Sequence, residues 1–185
     1  DWHSVHAIIA DTDSECARDV RDRAILMIFS TYGFRSREVS RLRLEDVDWE
    51  RERIRVHRSK GRYDQEYPLV HSIGDAIVRY LREVRPRTSR REIFLTLRAP
   101  FRPLSTGTMY RIVSNRMAKL GIKSLHRGPH SLRHACAGHL VGEGFSLKEI
   151  GDHLGHRSSF STRTYAKVDM PGLREVASFD LGELS

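Results

Sequence analysis

The sequence predicts an α+β fold, mostly helical, with one small antiparallel β-hairpin or three-stranded sheet. Three observations predict it. Apolar residues recur at helical spacing through most of the chain. One segment, Arg53 to Arg58, alternates Arg-Ile-Arg-Val-His-Arg with the period of a strand and runs into the turn Ser59-Lys60-Gly61-Arg62. The length, 185 residues, suits one domain whose core buries roughly 70% of the unfolded chain's surface.

The elements follow in order. Trp2 to Ala10 reads as a short helix. Asp13 and Ser14 are cap candidates for a second, with Ile25, Ile28, Phe29 and Tyr32 on one face and Gly33 as its terminator. Ser36 opens a short helix through Leu42, with Val39 and Leu42 inward. After the strand at 53–58 and its turn, Glu66 to Val70 returns, and Pro68 places that strand at an edge. A helix is expected over 72–84, then a short strand at Ile93 to Leu95. Ser105 starts another helix and Gly121 ends it. The next, from Ser131 to Val141, puts Leu132, Ala135, Cys136, His139 and Leu140 on one stripe, which makes His139 a core histidine. Ser146 and Glu149 form a capping box. Ser158 to Tyr165 and Leu173 to Phe179 read as further helices, parted by Pro171-Gly172.

Charge narrows the partners. Lys and Arg number 32 and Asp and Glu 24, giving +8 and a pI of about 9.9. Residues 51–150 hold +13, whereas 1–50 carry −4 and 151–185 carry −1. A basic body of this kind suits a polyanion, most often nucleic acid. Of the 32 basic residues, 27 are Arg, the residue suited to forked phosphate contacts. The longest apolar run, Ala24 to Phe29, is six residues, far short of the roughly 20 a membrane helix needs. Two cysteines, Cys16 and Cys136, make no disulfide framework, and a cytoplasmic location is expected.

Several polar residues stand out. His130 and Arg133 sit i, i+3 at a helix start, where free N–H groups and the helix dipole favour an anion. Arg35 precedes Glu38 by three, the spacing of an ion pair across one turn. Lys60, one of only five lysines, occupies the hairpin tip among Arg55, Arg58 and Arg62. Of these cations only a lysine can release a proton. His153 and His156 lie three apart, and His134 is four from His130, yet no matching ligand pair or His-Glu-x-x-His accompanies them. Neither a metal nor a cofactor is expected.

The order of these pieces resembles the catalytic domain of the tyrosine recombinases, the phage integrase family. The carrying motifs are Gly33-Phe34-Arg35-Ser36-Arg37-Glu38-Val39, Ser59-Lys60-Gly61, His130-Ser131-Leu132-Arg133-His134, Leu154-Gly155-His156-Arg157-Ser158 and Thr164-Tyr165. Together they span nearly the whole chain. The resemblance implies a role for each matched residue. Tyr165 is the nucleophile that attacks a DNA phosphodiester and becomes joined to the 3′ phosphate. Arg35 and Arg133 clamp its non-bridging oxygens, and Lys60 protonates the leaving 5′ oxygen. His130 is the general base or acid, His156 bonds the phosphate, and Glu38 orients Arg35 or His130.

The resemblance also implies double-stranded DNA as partner and a tetramer on DNA that exchanges C-terminal tails, with a monomer in its absence. Residues 1–185 are expected to be the catalytic domain without the family's separate N-terminal helical domain, with a tail at 171–185. Arg58, Arg62, Arg111, Asn115 and Arg116 are candidate DNA contacts. The competing readings are a type IB topoisomerase-like enzyme, an inactive DNA-binding relative and a zinc hydrolase.

Overall fold

The computed structural model describes residues 2–58, 63–124 and 127–155. Seven α-helices and three strands are found among them: α1 (Trp2–Ala10), α2 (Ala17–Tyr32), α3 (Ser36–Ser40), β1 (Val47–Asp48), β2 (Arg53–Arg58), β3 (Tyr63–Pro68), α4 (His71–Arg79), α5 (Thr106–Lys119), α6 (Pro129–Gly142) and α7 (Leu147–Leu154). The mostly helical α+β reading therefore holds.

Helix α2 is the axle. Its residues 24 to 32 are all buried, so it is covered on every side rather than along one stripe. Helices α1, α4 and α6 pack on it. It starts at Ala17, after Cys16, and not at the expected Asp13 or Ser14. Ser14 instead donates its hydroxyl to Asp19 (2.7 Å) and accepts the Cys16 N–H. Gly33 ends the helix as expected, left-handed at φ 59°. At the far end of α2, Tyr32 donates to the Pro68 carbonyl (2.8 Å) and accepts the Val70 N–H, tying the axle to the sheet.

The sheet has the order β1-β2-β3, all antiparallel, with Ile54 opposite Tyr67, Val56 opposite Gln65 and Arg58 opposite Tyr63. Pro68 lies on an edge strand, as its missing N–H requires. Two strand expectations are corrected. The returning strand runs from Tyr63 to Pro68 rather than Glu66 to Val70. Ile93 to Leu95 is not a strand of the sheet. Ile93 donates to the Leu42 carbonyl, the neighbouring pairs Arg43–Glu92 and Leu95–Pro103 form single bridges, and all three residues are fully buried. The third strand is instead the two-residue β1.

Other helix boundaries moved for local reasons. The fourth helix continues past Arg79 as a π-turn, Tyr80–Val84, with Arg85 N–H reaching the Tyr80 carbonyl at 2.8 Å. Ser105 caps α5 by accepting the Thr108 N–H (3.1 Å). Helix α6 begins two residues before the expected Ser131, with Gly128 as cap and Pro129 in its first turn. The Ser146–Glu149 box opens α7 in both directions. His139 is half-buried rather than a core residue. Its ring stacks on Trp2 at 4.1 Å and nearly parallel. The helices expected at Ser158 to Tyr165 and Leu173 to Phe179 lie outside the described residues.

Candidate active site

Arg35 occupies the position before α3 that Ser36 was expected to fill. Its backbone N–H is held by Glu38 Oε2 (2.7 Å) and its guanidinium by Glu38 Oε1 (3.1 Å). The i, i+3 pair is thus formed, and its carboxylate is buried. The same guanidinium donates to the Gly155 carbonyl at the end of α7 (3.3 Å).

Arg133 arrives from α6. Only 7% of it is exposed. One arm donates to the Gly33 carbonyl and the other to the Leu154 carbonyl (2.7 Å). Gly33 permits this closeness, since a Cβ there would collide with Leu154 Cδ2. Arg35 and Arg133, far apart in sequence, therefore meet on consecutive carbonyls of one helix end. Burial, then the nearby Arg35 and Arg58 charges, holds the Arg133 guanidinium down to about 10. It stays protonated at neutral pH.

Arg58 completes the cluster from below. It was expected to face DNA, but strand alternation turns it inward with Ile54 and Val56, and it is 3% exposed. It donates to Glu38 Oε2 (2.6 Å), to Gln65 (3.0 Å), to Tyr67 and to the His153 carbonyl (3.3 Å). This bonded cluster has three guanidiniums and one carboxylate. Its positive charge exceeds what Glu38 can balance, so an anion at its exposed rim, where Arg35 is about one-third open, is favoured.

His130 shares the first turn of α6 with Arg133, but one is exposed and the other buried. Its Nε2 lies 2.9 Å from Nε2 of His134 one turn later. The cap before it is fixed by Tyr110 of α5, whose ring leaves no room for a Cβ on Gly128. On α5, Arg111 and Asn115 are exposed. Arg116, also expected at the DNA, is instead tied to Asp11 (2.5 Å) and Asp19, fastening α5 to the start of the chain. Lys60, Arg62, His156 and Tyr165 lie outside the described residues.

His153 is the buried histidine of α7. It donates from Nε2 to the Thr31 carbonyl (3.2 Å). Burial pushes its imidazole down to about 4, and the Arg58 and Arg133 charges act in the same direction. Among the described residues, no group of three or more His, Cys, Asp or Glu is arranged to hold a metal. An unfolded histidine titrates near 6.5, so the unfolded chain takes up the proton first. Stability from this group is complete above pH 6.5 and is lost as pH falls toward 4, by about 3 kcal/mol at most. Urea denaturation at pH 7 and pH 4.5 is expected to show this loss in the wild type and a smaller one in His153→Gln. Equal losses would contradict it.

A forked, guanidinium-rich rim on a helical α+β domain suits phosphoryl groups. Comparison with known proteins gives the family. The model of the phage integrase family matches residues 2–171. A Sinorhizobium fredii protein named "Putative integrase/recombinase y4gC" is 44% identical over 159 residues, which cover 85% of this chain and 82% of that one. The crystal structure of XerA recombinase superposes with a TM-score of 0.71 at 25% identity, over 93% of this chain and 61% of that one. Lambda integrase (residues 75–356) bound to DNA gives 0.61 at 19%, over 90% and 62%, a likeness of fold. The chain belongs to the phage integrase family, the tyrosine recombinases, whose members break and rejoin DNA. It spans only 42% of each of two further Sinorhizobium fredii relatives.

Proposed function

We propose that this chain cleaves and rejoins DNA strands as the catalytic domain of a site-specific recombinase, through a covalent 3′-phosphotyrosine. The observation that carries the reading is the convergence of Arg35 and Arg133 on the last turn of α7, directly before His156 in the sequence. The phosphate gains negative charge at its pentacoordinate transition state. Two guanidiniums already fixed by backbone carbonyls meet that charge without reorganising.

In this reading the Tyr165 oxygen attacks phosphorus and its proton passes to His130. The bond from phosphorus to the 5′ oxygen breaks, and Lys60 gives that oxygen a proton. His156 bonds the phosphate. Glu38 keeps Arg35 aimed. The phosphotyrosine conserves the ester, so a different 5′ hydroxyl can reverse the step without ATP. Arg111 and Asn115, exposed on α5, and Arg62 face the duplex. Assembly on DNA is a tetramer that exchanges the 171–185 tails, from a monomer in free solution, in the cytoplasm. Lambda integrase bound to DNA, with the same fold, supports DNA as the partner.

Incubation with nicked suicide duplexes of randomised core sequence is expected to trap the wild type as a denaturation-resistant adduct on the 3′ phosphate. Tyr165→Phe is expected to give none. An adduct that persists in Tyr165→Phe overturns the nucleophile assignment.

A further inference from the structure

Arg58 is a buried arginine at a strand position whose companions on the same face are Ile54 and Val56. An apolar side chain there would avoid the desolvation cost of a buried cation, which only a counter-charge and well-made hydrogen bonds offset. Each of its three nitrogens donates, and to three different elements: Glu38 of α3, Gln65 and Tyr67 of β3, and the His153 carbonyl of α7. The aromatic ring of Phe34 lies 5.4 Å from its guanidinium carbon. Gly155 presses on it so closely that a Cβ there would lie 2.6 Å from Nε and 2.7 Å from Cζ.

These contacts bear on both ends of the site. Glu38 Oε2 accepts from Arg58 and from the Arg35 backbone, while Oε1 accepts from the Arg35 guanidinium. Arg58 thereby fixes the carboxylate that aims Arg35. At the other end it holds His153 and abuts Gly155. The carbonyls that receive Arg133 and Arg35 belong to Leu154 and Gly155, in the same turn. Tyr67 reinforces this end by donating to the same His153 carbonyl.

We propose that Arg58 is a positioning residue: clamped between Glu38 and the last turn of α7, it sets the aim of Arg35 and the point from which the chain continues to His156. It does not touch DNA. The proposal rests on the recombinase reading above. It predicts that losing Arg58 slows the chemical step while leaving DNA affinity nearly unchanged, because small misplacements of a reacting constellation cost about 10²-fold in rate.

The test uses the whole chain with Arg58→Met and Arg58→Lys, on the randomised nicked duplexes. In single-turnover adduct formation at saturating DNA, Arg58→Met is expected to be about 100-fold slower and Arg58→Lys about 10-fold slower, with affinity within about threefold. Lysine keeps the charge beside Glu38 but not the fork. A folded Arg58→Met with a wild-type rate, or a loss confined to affinity, overturns the proposal. Should methionine prevent folding, judged by circular dichroism, a wild-type rate in Arg58→Lys overturns it. Amide hydrogen exchange at residues 152–155 is the second readout. It is expected to quicken in the folded variants, and unchanged exchange overturns the proposal. If the wild type forms no adduct, the recombinase reading fails, while exchange still decides whether Arg58 holds α7.

Discussion

Arg133→Ala is expected to lower the rate of adduct formation about 10²–10³-fold at saturating DNA, the usual cost of removing one fixed donor from a charged transition state. The structure adds a second effect. A surface arginine in a first turn could be truncated without loss of stability. Arg133 is buried and bridges the Gly33 carbonyl to the Leu154 carbonyl. Alanine leaves those carbonyls without that donor, at about 1–3 kcal/mol for each one left unsatisfied. Thermal denaturation is therefore expected to shift down by about 2–4 °C per kcal/mol. Arg133→Lys is expected to retain stability in part but not the rate, since an ammonium cannot span two carbonyls and present a fork to phosphate. A rate within about threefold of the wild type in Arg133→Ala would remove this arginine from the site.

The sequence made some of this site legible and hid the rest for identifiable reasons. Arg35 and Glu38 are three apart, and their pair forms because both lie on one turn. Gly33 marks a helix end through its backbone freedom, and the Ser146–Glu149 box through side chains that accept each other's N–H. Interactions of this range are written locally. The partners of Arg133 are backbone carbonyls, which every residue carries, so no residue type announces them. Arg116 meets Asp11 and Asp19 across about a hundred positions, and nothing nearby in the chain signals the pairing. The strand β1 has two residues, too few for alternation to show. Ile93 to Leu95 is apolar because it is core, and three residues cannot distinguish a strand from a buried connection. Arg58 is different, because its inward turn was readable. Alternation that points Ile54 and Val56 inward must do the same to residue 58. Charge had suggested the opposite face, and the period of the strand prevailed.

Glu38→Gln is expected to destabilise the fold by about 3–5 kcal/mol, the cost of leaving a buried cation without its counter-charge. The reason lies in the count of charges. Glu38 is the carboxylate bonded to both Arg35 and Arg58, and Arg133 is close enough for their charges to repel it. A glutamine keeps one carbonyl oxygen and the volume but not the charge, so it separates electrostatic from packing effects. Loss on this scale is a large share of a domain's net stability. The same substitution frees the Arg35 guanidinium from Oε1, so adduct formation is expected to fall even below the melting temperature. Glu38→Asp restores the charge one methylene short, and is expected to recover more stability than rate. Urea denaturation gives the first quantity and single-turnover cleavage the second. If Glu38→Gln proves as stable as the wild type to within about 1 kcal/mol, the guanidiniums are balanced by something other than this carboxylate.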